Sequence, residues 1–414
     1  MASEAAFAPL TLPSADWLSL VSAAVLSAVP CLWLPLSYLR PSDLVVTLIY
    51  VFVYCSSILS LSYSGHPGST TYMAVLCLCM FVLNVCLKSY DEVRITPRPI
   101  SGRLYITIVV LLVVVFSALV FTQLGVQRLW LDFSEVYSIR DGSDLISSGT
   151  YATWLDVSMR WLAFVLLPIG ISIGVYCRLR WIWIGCLSIY YYLYVTTGNR
   201  IYFFAGFIIL AFSWTSWIQK GLLAHRIISL MIVVTSAMLF AKVLIGDSFL
   251  LDLWVRRSFV TPGYLSSLYH EFFSTNPKFQ FSTSNTLGIF NFNDRIYDLD
   301  IPNLLGAVYF GTERMSANTN VWADAYANHG YVLMVIVSVL LAIVLRLIDL
   351  TARGLSGRIV APILVMPAVT IMNSSLIPVL VGHGLLLVYL LLLVMPRAQL
   401  FLEKRSNLGK QTGV

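Results

Sequence analysis

Charge is what this sequence has least of. Only 11% of its 414 residues are Asp, Glu, Lys or Arg, against about a quarter in soluble globular domains, so a water-soluble fold is excluded. Cysteine is scarce as well. The 7 cysteines, Cys31, Cys55, Cys77, Cys79, Cys86, Cys177 and Cys186, all lie in or beside apolar runs. That placement suits small buried side chains better than disulfides or metal ligands. No basic flank and cleavage signal precede the first apolar run, which is therefore expected to remain as a helix. No internal repeat is evident, which speaks against transporters built from inverted repeats. No aromatic and basic surface domain accompanies the net charge of +6, so nucleic acid is not an expected partner.

What is abundant is apolar material: 58% of the residues are hydrophobic and the mean hydropathy is +0.83. It falls into runs of about 20 residues, the length a helix needs to cross a hydrocarbon core of roughly 30 Å. The alternation of a membrane barrel is missing. The spacing predicts an all-α polytopic membrane protein, one integral domain over 1–414, with about eleven transmembrane helices. They fall at 17–39, 44–61, 70–87, 104–124, 157–176, 181–196, 201–217, 227–245, 330–348, 359–372 and 378–396.

Basic residues set the orientation. Arg40, the group Lys88, Arg94, Arg98 and Arg103, the pair Arg178 and Arg180, Lys220 with Arg226, then Arg346, Arg353 and Arg358, and finally the tail from Arg397 all fall on alternate connections. The basic face is expected to be cytoplasmic, with the N-terminus outside and the C-terminus inside. Two external loops follow from this: a first at 125–156 and a large one, with short helices, at 246–328.

Those loops carry arginine rather than lysine, with Arg128, Arg140, Arg256, Arg257, Arg295 and Arg314 against Lys278 alone in the large loop, and Arg200 stands in a short external turn at 197–200. A guanidinium is a planar fork matched to phosphate or carboxylate, whereas an ammonium is a solvated point charge. Thr261-Pro262 reads as an N-cap with proline at the first helical position, giving a short helix whose positive end would lie beside Arg256 and Arg257. On that helix Leu265, Leu268, Tyr269 and Phe272 form one apolar face, with His270 and Glu271 turned away. The plainer alternative for the two arginines is headgroup anchoring. Arg200 opens a helix, where a cation opposes the dipole, so an anionic ligand or a carboxylate must compensate it. Asp156 and Arg160, four apart, are expected to pair. Asn320 and Asp324 lie one turn apart, as do Trp322 and Tyr326, a polar and an aromatic edge suited to sugar or to a wet helix end. His270, Glu271, Asp324 and His329 are the candidate bases. Asp294, Asp298 and Asp300 are embedded among Tyr, Leu and Asn and make no convincing metal-binding group, so neither metal nor cofactor is expected.

The chain resembles the bacterial O-antigen polymerases, which join oligosaccharide repeat units at the inner membrane. The resemblance covers most of the length. It rests on the modest external loop holding Arg128 and Arg140, on Gly198-Asn199-Arg200 in a short turn, and on a large external loop. That loop opens with Arg256-Arg257-Ser258-Phe259, continues through Pro262-Gly263-Tyr264, and closes with Asn318-Thr319-Asn320 and Asp324-Ala325-Tyr326-Ala327-Asn328.

The resemblance implies a glycosyltransferase C-like bundle and transfer of a growing glycan from undecaprenyl diphosphate to another lipid-linked repeat unit, at the periplasmic face and without metal. Arg200, Arg256 and Arg257 would hold the donor diphosphate, with Arg128, Arg140 or Arg314 assisting, while Tyr264, Asn320, Tyr326 and His329 would contact substrate. A chain-length regulator and a repeat-unit flippase would be partners, alongside membrane lipids. The alternatives are a ligase that moves the glycan to lipid A-core and, from another class, a polysaccharide flippase or transporter.

Overall fold

The structure is a computed structural model that describes residues 17–35, 40–89, 97–125, 150–214, 223–246, 255–282, 296–313 and 315–397. Arg128, Arg140, Arg295 and Arg314, and the side chain of Arg257, lie outside the described residues.

All regular elements among the described residues are helical. In chain order they are α1 (Trp17–Ala28), α2 (Pro41–Ser64), α3 (Ser69–Ser89), α4 (Gly102–Leu124), α5 (Trp154–Tyr176), α6 (Arg180–Thr197), α7 (Arg200–Trp214) and α8 (Leu223–Ile245). There follow α9 (Thr261–Thr275), α10 (Ile301–Phe310), α11 (Val321–Thr351), α12 (Gly357–Asn373), α13 (Leu376–Leu380) and α14 (Leu385–Val394). Six described segments are long and apolar enough to span a bilayer: α2, α3, α4, α5, α11 and the run Leu376–Val394. Shorter apolar helices accompany them. The protein is therefore a multi-pass helical membrane bundle.

The helix ends follow local chemistry. Pro41 opens α2, and Asp43 Oδ2 accepts the backbone N–H of Arg40 at 2.7 Å, a proline start with reciprocal capping. Gly198, left-handed at φ 66°, ends α6 and turns the chain directly into α7. In α11 the backbone leaves helical geometry at His329 and Gly330, close to where the sequence places the start of the spanning segment.

Between helices in lipid the association depends on close packing rather than on apolar burial. Small residues mark the seams. A Cβ at Gly174 of α5 would stand 2.9 Å from the backbone nitrogen of Trp183 on α6, and one at Gly263 of α9 would stand 2.1 Å from the carbonyl oxygen of Ser56 on α2. α2 packs on α1, α9 and α12, α3 packs on α11, and α12 joins these to α5 and α7. Outward-facing Leu111, Val114, Val115, Phe240 and Val332 are exposed, as lipid-facing side chains should be.

One end of the bundle gathers the basic connections. Arg40 Nη1 donates to the carbonyl of Leu87 at 3.1 Å, Lys88 Nζ to that of Trp33 at 3.0 Å, and Arg397 Nη2 to that of Thr351 at 3.0 Å. The buried Asp349 carboxylate accepts from Ser42 N–H and Ser42 Oγ at 2.8 and 2.6 Å. The opposite end carries the candidate site.

Candidate functional site

α9 is not a short surface helix. A π turn at Arg256–Val260 runs into it without a break, and the whole stretch lies alongside α2. The Phe259 ring meets Phe52 at 5.4 Å, Ser56 Oγ donates to the Phe259 carbonyl, and Ser57 Oγ donates to Ser266 Oγ at 3.1 Å. Arg256 therefore begins the run level with the middle of α2, and Glu271, one turn before its end, is level with the α2–α3 connection.

This corrects the expected N-cap. Thr261 is helical, its hydroxyl donates to the Arg256 carbonyl at 2.7 Å, and the amides of the first α9 turn belong to a helix already under way. They offer no free positive end to a phosphate.

At the far end of α9 the polar side chains converge. Nε2 of His66, from the α2–α3 connection, stands 3.2 Å from Oε1 of Glu271, with side-chain exposures of 28% and 35%. Tyr264, two turns earlier on α9 and part-buried, feels the same carboxylate, which together with the larger effect of burial pushes its phenol up. The Tyr309 hydroxyl also reaches Glu271.

His270 departs from its expected outward position. It is 1% exposed, with its ring 4.9 Å from Tyr72 and 5.4 Å from Tyr326, because α3 and α11 cover the side of α9 that the sequence pattern leaves open. Its Nδ1 and the Tyr72 hydroxyl are buried without a hydrogen-bond partner among the described residues. Burial first, then the charges of His66 and Lys278, push the His270 imidazole down to about 4. It is a neutral, enclosed ring, not an accessible base.

The second half of the loop closes over this core. Lys278 Nζ lies 3.5 Å above the centre of the Tyr326 ring and donates to the Phe273 carbonyl at 2.6 Å. Burial pushes its ammonium down to about 8, while the ring face favours the charge. Backbone N–H groups of Phe279 and Gln280 donate to the carbonyls of Ala327 and Asn328 at 2.9 and 3.2 Å, and Phe281 N–H donates to Asn328 Oδ1 at 2.9 Å.

Asn320 is the N-cap of α11, accepting from Trp322 N–H and Ala323 N–H at 3.0 and 3.1 Å, and its amide donates to Ser266 Oγ at 2.7 Å. With 2% exposure it ties α11 to α9 and is not free to hold a sugar. Tyr326 is 4% exposed beneath Lys278, so its expected role as an open aromatic platform does not survive either. Asp324 Oδ2 faces Asn328 Nδ2 at 3.4 Å. His329, exposed, sits at the break in α11 with its ring 5.3 Å from Phe281.

Arg200 lies elsewhere. It is the part-buried first residue of α7, which packs on α5, α6 and α12, whereas α9 packs on α2 and α11. Near it, Arg160 Nε donates to Asp156 Oδ1 at 3.0 Å, the pairing expected from their spacing. All seven cysteines are free. Among the described residues no group of three or more His, Cys, Asp or Glu comes together as a metal site. An apolar groove between α4 and α6 is lined by Ser117, Phe121, Ser188 and Tyr192 and includes none of the polar cluster.

No known protein family, curated protein or solved structure matches the chain.

Two elements of the cluster escape the sequence reading. His66 stands outside the long loop, between Gly65 and Gly68 in a short connection, and its signal was a histidine at the same membrane end as the loop. Tyr72 is one aromatic among 22 tyrosines and carries no local signal.

Proposed function

We propose that the protein is a membrane glycosyltransferase that polymerises undecaprenyl-diphosphate-linked oligosaccharide repeat units into O-antigen or a related surface polysaccharide. The His66–Glu271 end faces the periplasm, and the membrane is the bacterial inner membrane. The observation that carries this reading is the α9 run, which places a partly exposed carboxylate–imidazole pair at the polar end of the bundle and an arginine deep along a membrane span. A reaction on lipid-linked sugars needs both: an acid–base group where sugar hydroxyls arrive, and cations along the route of the lipid diphosphate. The arginine preference of the external loops and the architectural resemblance to O-antigen polymerases support the same substrate class.

In this reading an acceptor hydroxyl attacks the anomeric carbon of the donor and displaces its lipid diphosphate. Arginines of the external loops neutralise the leaving charge, as fixed cations do at developing anions, while Arg256 binds lipid diphosphate on its route. A chain-length regulator and a repeat-unit flippase are the proposed partners.

The test is reconstitution of the purified protein with lipid-linked repeat units in a chelator and without nucleotide sugars. A ladder of longer glycans is expected. Transfer to lipid A-core alone would assign the ligase activity, transbilayer movement without new linkages would assign a flippase, and a ladder restored only by Mg²⁺ or Mn²⁺ would remove the metal-free mechanism.

A further inference from the structure

We propose that His66 is the general base of this reaction and that Glu271 is its positioning residue; the inference rests on the glycosyl-transfer reading above. The pairing of His66 Nε2 with Glu271 Oε1 at 3.2 Å makes the carboxylate the acceptor of the Nε2–H. A histidine whose one nitrogen donates to a carboxylate presents the other as a proton acceptor. Nδ1 of His66 is therefore the basic atom, on a side chain that keeps 28% of its surface open.

None of the other candidate bases is an imidazole held by a carboxylate among the described residues. Glu271 already receives His66 and faces the Tyr309 hydroxyl. His270 is closed off between Tyr72 and Tyr326. Asp324 faces Asn328, and His329 stands at the α11 break against Phe281.

His66 is also held where a base must be held. Gly65, left-handed at φ 61°, ends α2, Gly68 is left-handed at φ 86°, and Ser69 N–H donates to the His66 carbonyl at 3.1 Å. The backbone turn is fixed between two spanning helices, and no side-chain change at His66 removes that bond. The turn also lies against α9: a Cβ at Gly68 would meet His270 Nε2 at 3.6 Å, an ordinary contact, so the left-handed φ and not space is what calls for glycine there.

In the step, the acceptor oxygen bonds to the anomeric carbon as that carbon's bond to the diphosphate oxygen breaks. The hydroxyl proton passes to His66 Nδ1, and the bonding pair leaves with the diphosphate. Glu271 then stabilises the imidazolium, which releases its proton to water.

The experiment uses the full chain in lipid nanodiscs with lipid-linked repeat units, and follows glycan formation together with nitrogen NMR of the His66 ring. His66→Ala is expected to lower kcat by about 100-fold or more with little change in KM, and added imidazole should recover part of the loss. Glu271→Gln is expected to lower kcat and, in the same sample, to shift the His66 proton away from Nε2. Activity of H66A within about threefold of wild type, or an inactive E271Q whose His66 tautomer is unchanged, would overturn the assignment. If the wild-type protein forms no glycan, the glycosyl-transfer reading fails, while the tautomer in wild type and E271Q still decides whether the pair is built as described.

Discussion

Arg256 opens one unbroken helical run and Glu271 stands one turn before its end at Thr275, so at about 1.5 Å of rise per residue the two are roughly 20 Å apart along the axis. A single reacting diphosphate does not touch both.

Substitution at the two positions should therefore be felt in different kinetic constants. Arg256→Ala is expected to raise KM for lipid-linked substrate about tenfold or more with kcat largely kept, the pattern of a lost binding contact. Glu271→Gln should lower kcat with KM nearly constant. Steady-state assays on both variants check the split, and equal kcat losses would place Arg256 at the reacting bond instead.

Gly263 tests the seam between α9 and α2. With Ser56 oxygen 2.1 Å from the added Cβ, Gly263→Ala should destabilise the protein by about 1–3 kcal/mol through overpacking and misplace Glu271 further along the same helix. Gly185→Ala, which meets nothing within 4 Å, is the matched control and should leave thermal unfolding in detergent unchanged or slightly improved.

Asn320 separates architecture from sugar recognition. Loss of its cap in Asn320→Ala should cost about 1–2 kcal/mol, while the Ser266 hydroxyl keeps the Pro262 carbonyl and Ser57 as partners. Asn320→Asp, which can still cap, should recover most of the stability and the activity. A stable but inactive N320D would instead give Asn320 a direct role with substrate.

The buried imidazole predicts an acid-sensitive fold. His270 has a folded value of about 4 against 6.5 when unperturbed, so between those pH values the unfolded chain binds the extra proton and the folded one does not. Stability is complete above about 6.5, declines as pH falls towards 4, and levels off below. His270→Phe should flatten the melting temperature across that window, whereas an equally steep decline in the variant would assign it to other groups.

Hydropathy made the bundle legible, because each span must satisfy its backbone internally and cover itself with apolar side chains. The α2, α3 and α4 segments, the Gly198 turn, the restart at Gly330 and the Asp156–Arg160 pair all follow from local rules. The site was legible only as a region. Glu271 could be picked from the loop, but the depth of α9 comes from its contact with α2, about 200 residues away in sequence, as the Ser57–Ser266 bond illustrates. Local spacing cannot show such a pairing. It is also why Thr261-Pro262 resembled a helix start, and why His270, solvated by the periodicity of one helix, is enclosed by two others.

The break at His329 and Gly330 has a mechanical consequence. Beyond it, Tyr331–Thr351 must follow the tilt that bilayer thickness imposes. Before it, the segment that begins at Val321 is fastened at Asn320 to α9 and at Ala327 and Asn328 to the loop at Phe279–Phe281. A glycine at φ 70° lets the two parts change angle independently. The outer part is thus isolated from the membrane's deformations, so thick and thin bilayers should present incoming sugars with the same surface.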